Sequence, residues 1–183
     1  MSYIGVDEVG RGCLAGPMVV CAVVYDETFE SIELLDSKKL SVSRREQITT
    51  SLFNNTNFAI GIVSAAEIDK LGISKAFEFA LLQCYKNLSL RGFKLPYVID
   101  GRYALSFEFE HRFEYKAEDK YKAVALASIF AKVYRDALMV KFAHVYPNYC
   151  FERHKGYGTL IHRKALDNFG YCQIHRRSFK LKS

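Results

Sequence analysis

Two adjacent carboxylates, Asp7 and Glu8, end an apolar run in the stretch IGVDEVGRG. Further acids stand at comparable places, since Asp100 ends the apolar stretch VID and Glu118-Asp119 precede a long helical pattern. Strand ends at one rim of a sheet are where α/β proteins build their sites. Carboxylates gathered there repel one another unless a hard divalent cation neutralises them, and ligand sets made only of oxygen suit Mg²⁺ or Mn²⁺. The pattern therefore predicts a divalent-metal site.

These acids also allow a plainer interpretation. Taken singly, each can cap a helix or pair with a lysine, and two strands that each end in an acid leave both explanations open. Adjacent strand residues point to opposite faces, so Asp7 and Glu8 reach one site only if the strand ends or bulges there, which Gly10 and Gly12 permit. Otherwise Glu8 contributes through its backbone carbonyl. Asp136, inside the long helical pattern, is expected to pair with a nearby Lys or Arg.

The elements that must position the acids follow from residue type and periodicity. Strands are predicted at 2–6, 18–25, 58–64, 97–99 and 113–116. A capping box at Ser43 and Glu46 predicts a helix to about residue 53, and further helices are predicted over 74–88, 121–143 and 159–170, the last capped by Thr159. Strands come first and then alternate with helices, which is typical of an α/β fold with a mixed sheet.

Composition places the chain among globular proteins of one domain. It has 183 residues, of which 50% are hydrophobic and 25% are charged. Five cysteines without a CxxC pair indicate free thiols in a reducing compartment rather than disulfides or a zinc site. The longest apolar run, 13–25, is too short to span a bilayer, and we expect no signal peptide before the acidic motif. We expect a soluble, cytoplasmic monomer that does not engage membranes.

The net charge of +6 is unevenly distributed. Residues 150–183 contain eight Lys or Arg against two Asp or Glu, whereas residues 1–149 are balanced. A basic segment on a neutral body is typical of a face that binds a polyanion, although a solvated terminal helix would give the same count. We predict a core at 1–145 and a basic helical C-terminal segment at 146–183 that packs on the core and binds substrate.

Six blocks of the sequence together resemble the ribonuclease HII family, in family order from end to end. They are IGVDEVGRG with CLAGPMVVCAVV at 4–24, DSKKLS at 36–41, VIDG at 98–101, ASIFAKVYRD at 127–136, HKGYGT at 154–159 and HRRSF at 175–179. The resemblance implies a ribonuclease H-like mixed sheet flanked by helices, with a helical C-terminal part. It also implies metal-dependent cleavage of the RNA strand of RNA–DNA hybrids, and nicking 5′ of ribonucleotides embedded in duplex DNA, which leaves 3′-hydroxyl and 5′-phosphate ends.

The resemblance carries three of the family's four acids onto Asp7, Glu8 and Asp100. The fourth lies in a Lys-Ala-Asp or Lys-Gly-Asp motif, ten residues before the Ser-Ile of the ASIFAK block. Counting back here reaches Glu118, so either Glu118 serves with one extra methylene or the backbone shifts to present Asp119. We expect Glu118, because this register needs no gap.

Hydrolysis through two metal ions needs one ion to orient hydroxide and another to stabilise the leaving oxygen, with the ions ~3.5–4 Å apart. Shared carboxylates must then bridge them, and we expect Asp7 and Asp100 to be the bridging or central ligands, with Glu8 and Glu118 on the flanks. No cysteine or histidine nucleophile is required. His154 is interpreted as a phosphate contact or a structural residue.

The resemblance also suggests how substrate is recognised. The Gly10-Arg11-Gly12 backbone can approach a sugar closely and address a 2′-hydroxyl, the group that separates RNA from DNA. Tyr157, flanked by Gly156 and Gly158, resembles the family tyrosine that packs on the sugar after the ribonucleotide, although a buried aromatic is the alternative. Further substrate contacts are expected at Ser37, Lys38, Arg176 and Arg177.

Two other functions fit part of the same pattern. Another ribonuclease H-like metal nuclease would share the acids but would give no reason for the GRG turn or the tyrosine between glycines. A catalytically weakened or dead hybrid-binding protein would explain a glutamate at the fourth acidic position. Cleavage assays on different duplexes separate these possibilities.

Overall fold

One mixed sheet carries the acidic residues in the computed structural model of the chain, which describes residues 2–31, 40–103, 105 and 107–180. Its strands are β1 (Ile4–Val9), β2 (Met18–Val24), β3 (Phe58–Val63), β4 (Tyr97–Asp100) and β5 (His111–Glu114). The helices of these ranges are α1 (Val42–Leu52), α2 (Ala65–Leu71), α3 (Ile73–Leu90), α4 (Lys122–Val145), α5 (Phe151–His154) and α6 (Leu160–Phe169). Short 3₁₀ turns occupy Glu27–Ser31, Ala117–Asp119 and Pro147–Tyr149.

The order of the strands is β3-β2-β1-β4-β5, which places β1 at the centre of the sheet. β1 is antiparallel to β2 and parallel to β4, and β4 is parallel to β5. Parallel strands end at the same edge, so the acids that close β1 and β4 are brought together. The pairing of β1 with β4 stops at Val6 and Ile99, which leaves Asp7, Glu8 and Asp100 beyond it.

Helices cover both faces of the sheet, α3 on one side and α4 on the other. Every residue of β2 is buried, because its side chains alternate between the two layers. Two glycines bring the helices close: a Cβ at Gly5 would lie 2.3 Å from Val124 N of α4, and one at Gly61 would lie 1.9 Å from Ala80 O of α3. Each large apolar side chain in these layers contributes about 1.5–3 kcal/mol by its burial.

Several elements depart from the sequence predictions. Helix α1 begins two residues earlier than predicted, because its N-cap is Ser41, which accepts a hydrogen bond from Arg44 N at 3.2 Å. The predicted capping box at Ser43 is therefore wrong. A capping box does start α2, where Ser64 and Glu67 bond reciprocally, and that short helix was not predicted. β5 also lies two residues earlier than expected, since its pairing with β4 sets its ends.

The chain after α4 folds back onto α4 and onto the loop that follows β1. Leu14 N donates to Gly156 O at 2.8 Å, and Ala15 forms an isolated antiparallel bridge with His175. Asp69 of α2 holds the tail by accepting from the backbone N–H groups of Arg177 and Ser178. Residues 147–180 therefore pack against the rest of the fold through these contacts. The boundary between a core at 1–145 and a C-terminal segment at 146–183 stays a prediction. No helix within the described ranges is long and apolar enough to cross a bilayer.

Three histidines, His154, His162 and His175, are buried within the C-terminal part, and their rings pack on one another. Burial disfavours a charged imidazole and lowers the pKa of His162 and of His175 from 6.5 to about 4, and it also lowers the pKa of His154. The neighbouring histidines and Arg177 add to the effect at His175, and Lys155 opposes Glu152 at His154. The folded protein therefore holds these rings neutral.

We expect the free energy of unfolding to decrease as the pH falls from about 6.5 to about 4. In that window the unfolded chain binds protons at these histidines and the folded chain does not, so protonation favours unfolding and the stability present above about 6.5 is lost. Urea unfolding at several pH values measures the slope. His175→Gln should flatten it, whereas His144→Gln, at an exposed histidine of α4, should not; identical slopes for the two variants would contradict the prediction.

Candidate active site

A cleft of about 520 Å³ opens at the carboxyl ends of β1 and β4. It receives side chains from β1, from the turn that follows β1, from β4, from α1 and α4, and from the turn after α5. The residues that line it are Asp7, Glu8, Val9, Gly10, Arg11, Gly12, Arg45, Asp100, Ser128, Ile129, Lys132 and Tyr157. Three of the four acids assigned from the sequence thus lie in one cleft.

Asp7 is the most enclosed of these acids, with 8% of its surface exposed. Its Oδ1 accepts from Glu8 N at 2.8 Å, and the Ser128 side chain of α4 also bonds to its carboxylate. Burial raises the pKa of Asp7 well above its ordinary value, and the negative charges of Glu8 and Asp100 raise it further. Asp7 is therefore a carboxyl group that is nearly shielded from solvent and whose ionisation is disfavoured by the two neighbouring acids.

Glu8 reaches the cleft from the opposite face of β1. Its Oε1 accepts from the Tyr103 hydroxyl at 2.7 Å, and the Tyr103 ring stacks on Phe77 of α3 with centroids 4.5 Å apart. Burial raises the pKa of Glu8, although Tyr103 and the guanidinium of Arg11 act against this rise. Pairing between β1 and β2 stays regular to the end of β1, so no bulge is needed. Both acids meet in the cleft because β1 extends past its pairing with β4.

Asp100 is held by the 3₁₀ turn that follows β5. Ala117 N donates to its Oδ1 at 2.7 Å, and Lys116 adopts a left-handed conformation with φ 55° that starts this turn. Glu118 is half-buried on the turn and Asp119 is exposed, and neither lines the cleft. The structure thus places Glu118 on the turn whose first amide bonds to Asp100, outside the lining of the cleft.

The donor set fits a hard divalent cation. Asp7, Glu8 and Asp100 offer only oxygen, which suits Mg²⁺ or Mn²⁺, and their mutual repulsion is what a cation would relieve. No three Asp, Glu, His or Cys side chains are already grouped as a ligand set in the part of the chain that the structure describes. The carboxylates instead bond to Glu8 N, Ala117 N, Ser128 and Tyr103.

The two glycines of the GRG turn serve different purposes. Gly10 has φ +88°, and a Cβ there would lie 2.2 Å from Nε of the buried Arg135. Gly12 is exposed, and a Cβ added to it would meet nothing within 4 Å. Between them, the guanidinium of Arg11 lies over the Tyr103 ring, 4.9 Å from its centroid. Gly10 is therefore required by packing, whereas Gly12 leaves the backbone open to a ligand.

Two buried arginines shape the loop that contains this turn. Arg135 donates to the carbonyls of Ala15, Pro17 and Lys155 at 2.8–3.0 Å. Arg176 is 1% exposed and donates to the carbonyls of Gly16 and Arg11 at 2.9–3.1 Å. The expectation that Arg176 is part of the basic substrate-binding surface is therefore wrong, because its guanidinium is buried and donates to backbone carbonyls of the loop. It remains a cation at neutral pH, although burial lowers its pKa to about 10.

Tyr157 projects into the cleft and is 41% exposed, so it is not a core aromatic. Lys132 Nζ and Arg135 Cζ each lie 5.9 Å from its ring centroid, and its hydroxyl bonds to Cys13. His154 is buried, and both of its ring nitrogens bond to backbone groups, so its structural interpretation holds.

The other predicted substrate contacts fall in two groups. Arg177 is exposed on the tail, with its backbone N–H bonded to Asp69. Ser37 and Lys38 lie outside the described residues, so their contribution stays a prediction.

The pairing expected for Asp136 is confirmed, since Lys132 Nζ lies 2.7 Å from its Oδ1.

Three polar residues that line the cleft were not assigned to the site from the sequence: Arg45, Ser128 and Lys132. Ser128, Lys132 and Asp136 are spaced four apart and share one face of α4. This spacing indicates a polar face that could line the site, but only once α4 is known to cover β1. Arg45 of α1 carries no such signal, because only the packing of α1 against α4 brings it to the cleft. Its Nη1 donates to Leu40 O at 2.7 Å.

The sequence and the fold of this chain are similar to those of known proteins. The family model for ribonuclease HII matches residues 4–182. The ribonuclease HII of Sulfurovum sp. (strain NBC37-1) is 45% identical over 178 residues, which are 97% of this chain and 91% of that protein. A chain from the PCNA:RNase HII complex of Archaeoglobus fulgidus matches with a TM-score of 0.81 at 25% identity, covering 100% of this chain and 97% of its own.

A more distant solved structure supports the fold alone. Bst-RNase HIII in complex with Mn²⁺ matches with a TM-score of 0.72 at 18% identity, covering 92% of this chain and 70% of its own. The predicted ribonuclease H-like α/β fold, with its mixed sheet flanked by helices, is confirmed. Because the family model spans nearly the whole sequence, the chain belongs to the ribonuclease HII family of ribonuclease H endonucleases, metal-dependent hydrolases that act on RNA–DNA hybrids.

Proposed function

We propose that this ribonuclease H cleaves the RNA strand of hybrids and also nicks 5′ of single ribonucleotides embedded in duplex DNA, through a site for two divalent cations. The observation that carries the proposal is one cleft that joins three carboxylates to an open glycine backbone and an exposed tyrosine. The carboxylates suit the hydrolysis, and the glycine and the tyrosine suit the recognition of a ribonucleotide within DNA.

Asp7, Glu8 and Asp100 would hold the cations, with Glu118 approaching from the adjoining turn. When bound, such a pair supplies an activated water and stabilises the leaving oxygen. Asp7 and Asp100 lie on the α4 side of the sheet and Glu8 on the other, so the acids surround the strand ends from both faces. Mn²⁺ is the ion named for Bst-RNase HIII, and we propose Mg²⁺ or Mn²⁺ here.

Recognition is assigned to the two loops that border the acids. The Gly12 backbone is exposed without a side chain, so its amide and carbonyl can address a 2′-hydroxyl at close range. The Tyr157 ring offers an apolar face on which a deoxyribose can pack. Together they would select a ribonucleotide followed by a deoxyribonucleotide.

Phosphates would be held by cations at the cleft and on the tail. Arg11, Arg45 and Lys132 line the cleft, and Arg177 is exposed on the tail. Neutralising phosphates with such side chains gives affinity that decreases as salt increases. A cytoplasmic location and a monomeric state stay predictions of the sequence.

The proposal is tested with three 5′-labelled substrates: a DNA duplex with one ribonucleotide, a full RNA–DNA hybrid, and a branched duplex of DNA alone. With Mn²⁺ or Mg²⁺ we expect a single nick 5′ of the lone ribonucleotide and multiple cuts in the hybrid RNA, each leaving a 3′-hydroxyl. Cleavage of the branched DNA would indicate another kind of nuclease. Binding without cleavage would indicate a hybrid-binding protein.

Gly12→Ala should lower kcat/KM on the single-ribonucleotide duplex by about tenfold or more while leaving the melting temperature unchanged, because the new methyl blocks close approach of the sugar but touches nothing in the protein. Gly10→Ala is the matched comparison. It should lower the melting temperature, since its Cβ would collide with Arg135 at a positive φ. Full activity of Gly12→Ala would exclude this backbone from the substrate interface.

A further inference from the structure

The carbonyl of Tyr157 is the last acceptor in a chain of hydrogen bonds that runs through two buried histidines. Cys172 N donates to His175 Nδ1 at 2.9 Å, His175 Nε2 lies 3.0 Å from His162 Nε2, and His162 Nδ1 lies 3.0 Å from Tyr157 O. His162 is fully buried and His175 is 2% exposed, so the chain is shielded from solvent. It links the C-terminal tail to the loop that presents Tyr157.

The direction of each bond follows from the first donor. A backbone N–H only donates, so His175 Nδ1 accepts from Cys172 and the proton of the neutral ring is on Nε2. His175 Nε2–H then donates to His162 Nε2, which leaves the proton of His162 on Nδ1, where it donates to Tyr157 O. Each ring has one tautomer that satisfies the whole chain.

His154 holds the other side of the same turn. Its Nδ1 accepts from Gly156 N at 3.2 Å, its Nε2 lies 2.7 Å from Tyr149 O, and its ring stacks on His162 with centroids 4.4 Å apart. The backbone N–H before Tyr157 and the backbone carbonyl of Tyr157 are thus both held by imidazoles. The carbonyl of Tyr157 also accepts from Thr159 N at 2.8 Å, so the backbone that carries the exposed ring is bonded both to buried imidazoles and to its own turn.

An added proton would break this chain. A second proton on His162 would place two N–H groups opposite each other at Nε2, and one on His175 Nδ1 would oppose Cys172 N–H. The groups that face the two rings are His154, the Cys172 thiol at 3.0 Å from His175 Nδ1, Arg177, and the Tyr149 and Tyr171 rings. Among these groups there is no carboxylate that would stabilise a charged imidazole.

We propose that His162 and His175 are positioning residues that orient Tyr157 through its backbone carbonyl and so set selectivity for the ribonucleotide–deoxyribonucleotide junction. The inference rests on the proposed role of Tyr157 in recognising that junction. Neither histidine touches the acids or the cleft, and their effect passes through the Tyr157 turn.

A pair of substitutions at one position separates positioning from packing. The Asn side chain of His162→Asn places an N–H donor near the former Nδ1, so it keeps the bond to Tyr157 O and loses the one from His175. The longer side chain of His162→Gln places its amide near the former Nε2, so it keeps the bond with His175 and loses the one to Tyr157 O. Both variants lose the same imidazole ring.

The measured quantity is the ratio of kcat/KM on the single-ribonucleotide duplex to kcat/KM on the full hybrid. His162→Gln should lower this ratio by about tenfold, the effect of one lost hydrogen bond, and His162→Asn should leave it within about twofold. Hydrogen exchange in the peptide that covers 155–159 should accelerate in His162→Gln alone. Equal ratios and equal exchange rates in the two variants would overturn the proposal.

Two further measurements test the role of Tyr157 and the hydrogen-bond chain separately. Tyr157→Ala tests the proposed function by itself: if it leaves the ratio unchanged while exchange accelerates in His162→Gln, junction recognition by Tyr157 fails and the positioning role stands. In the unsubstituted protein, two-bond ¹⁵N–¹H spectra should show the proton of His162 on Nδ1 and that of His175 on Nε2. The opposite tautomers would overturn the hydrogen-bond chain without any variant.

Discussion

Asp7→Asn and Asp100→Asn should each lower the cleavage rate by about 10³-fold or more while leaving hybrid binding near that of the unchanged protein. Each change removes an anionic oxygen from the cation site, and the transition state loses several kcal/mol of charge stabilisation. The amide oxygen can still accept from Glu8 N or Ala117 N, so the fold should persist. Binding should survive because it depends on phosphate contacts from cationic side chains.

Cleavage is measured on a gel, and binding by fluorescence anisotropy in EDTA. Asp167→Asn, at an exposed acid of α6, is the matched control and should change neither quantity. Asp7→Asn should also leave the melting temperature unchanged or higher, because burial and the charges of Glu8 and Asp100 disfavour its anion. Turnover near that of the unchanged protein would remove the substituted acid from the site.

Glu118→Gln should also abolish metal-dependent cleavage, whereas Asp119→Asn should be tolerated. Glu118 is half-buried on the turn whose first amide bonds to Asp100, and Asp119 is exposed to solvent. Loss of an anionic ligand weakens a site for a hard cation, while a solvent-facing acid contributes little. The extra methylene of glutamate extends its reach from the adjoining turn.

Glu118→Asp is the most informative change at this position. It restores the side-chain length that the family resemblance implies, so activity should hold or increase if the backbone already suits that geometry. Titration of the rate with Mn²⁺ shows whether the change acts on cation affinity. If Asp119→Asn lowers the cleavage rate and Glu118→Gln does not, the fourth ligand is Asp119. If neither substitution lowers the rate, three acids are sufficient for cleavage.

The three clustered acids were predictable because their placement depends on short-range rules. β1 and β4 are apolar runs that end in acids, and the parallel pairing of two such strands puts those ends at one edge. The turn that carries Tyr157 was predictable for a similar reason, since its two flanking glycines indicate an exposed loop. Helix α2 is too short for periodicity to reveal, although the capping box of Ser64 and Glu67 was a usable signal.

The role of Arg176 was not predictable from composition. A count of charges treats Arg176 and Arg177 alike, yet one is buried beneath the loop after β1 and the other is exposed. The difference arises from carbonyls far away in sequence, which the loop aims at Arg176 only after the sheet and α4 are in place. Arg45 shows the same limit, because its position depends on how α1 packs against α4.

The hydrogen bonds of Arg176 also affect the order in which parts of the protein can fold during synthesis. Gly16 and Arg11 lie between β1 and β2, while the guanidinium that bonds to their carbonyls belongs to a residue 160 and 165 positions later in the chain. A growing chain can form the early hairpin and pack α3 on it, since amino-terminal segments fold first during synthesis. It cannot complete the hydrogen bonds of this loop until Arg176 is available. The nascent polypeptide therefore contains Asp7, Glu8 and Asp100 long before Arg176, and we expect the loop after β1 to take its final form only once Arg176 has been added.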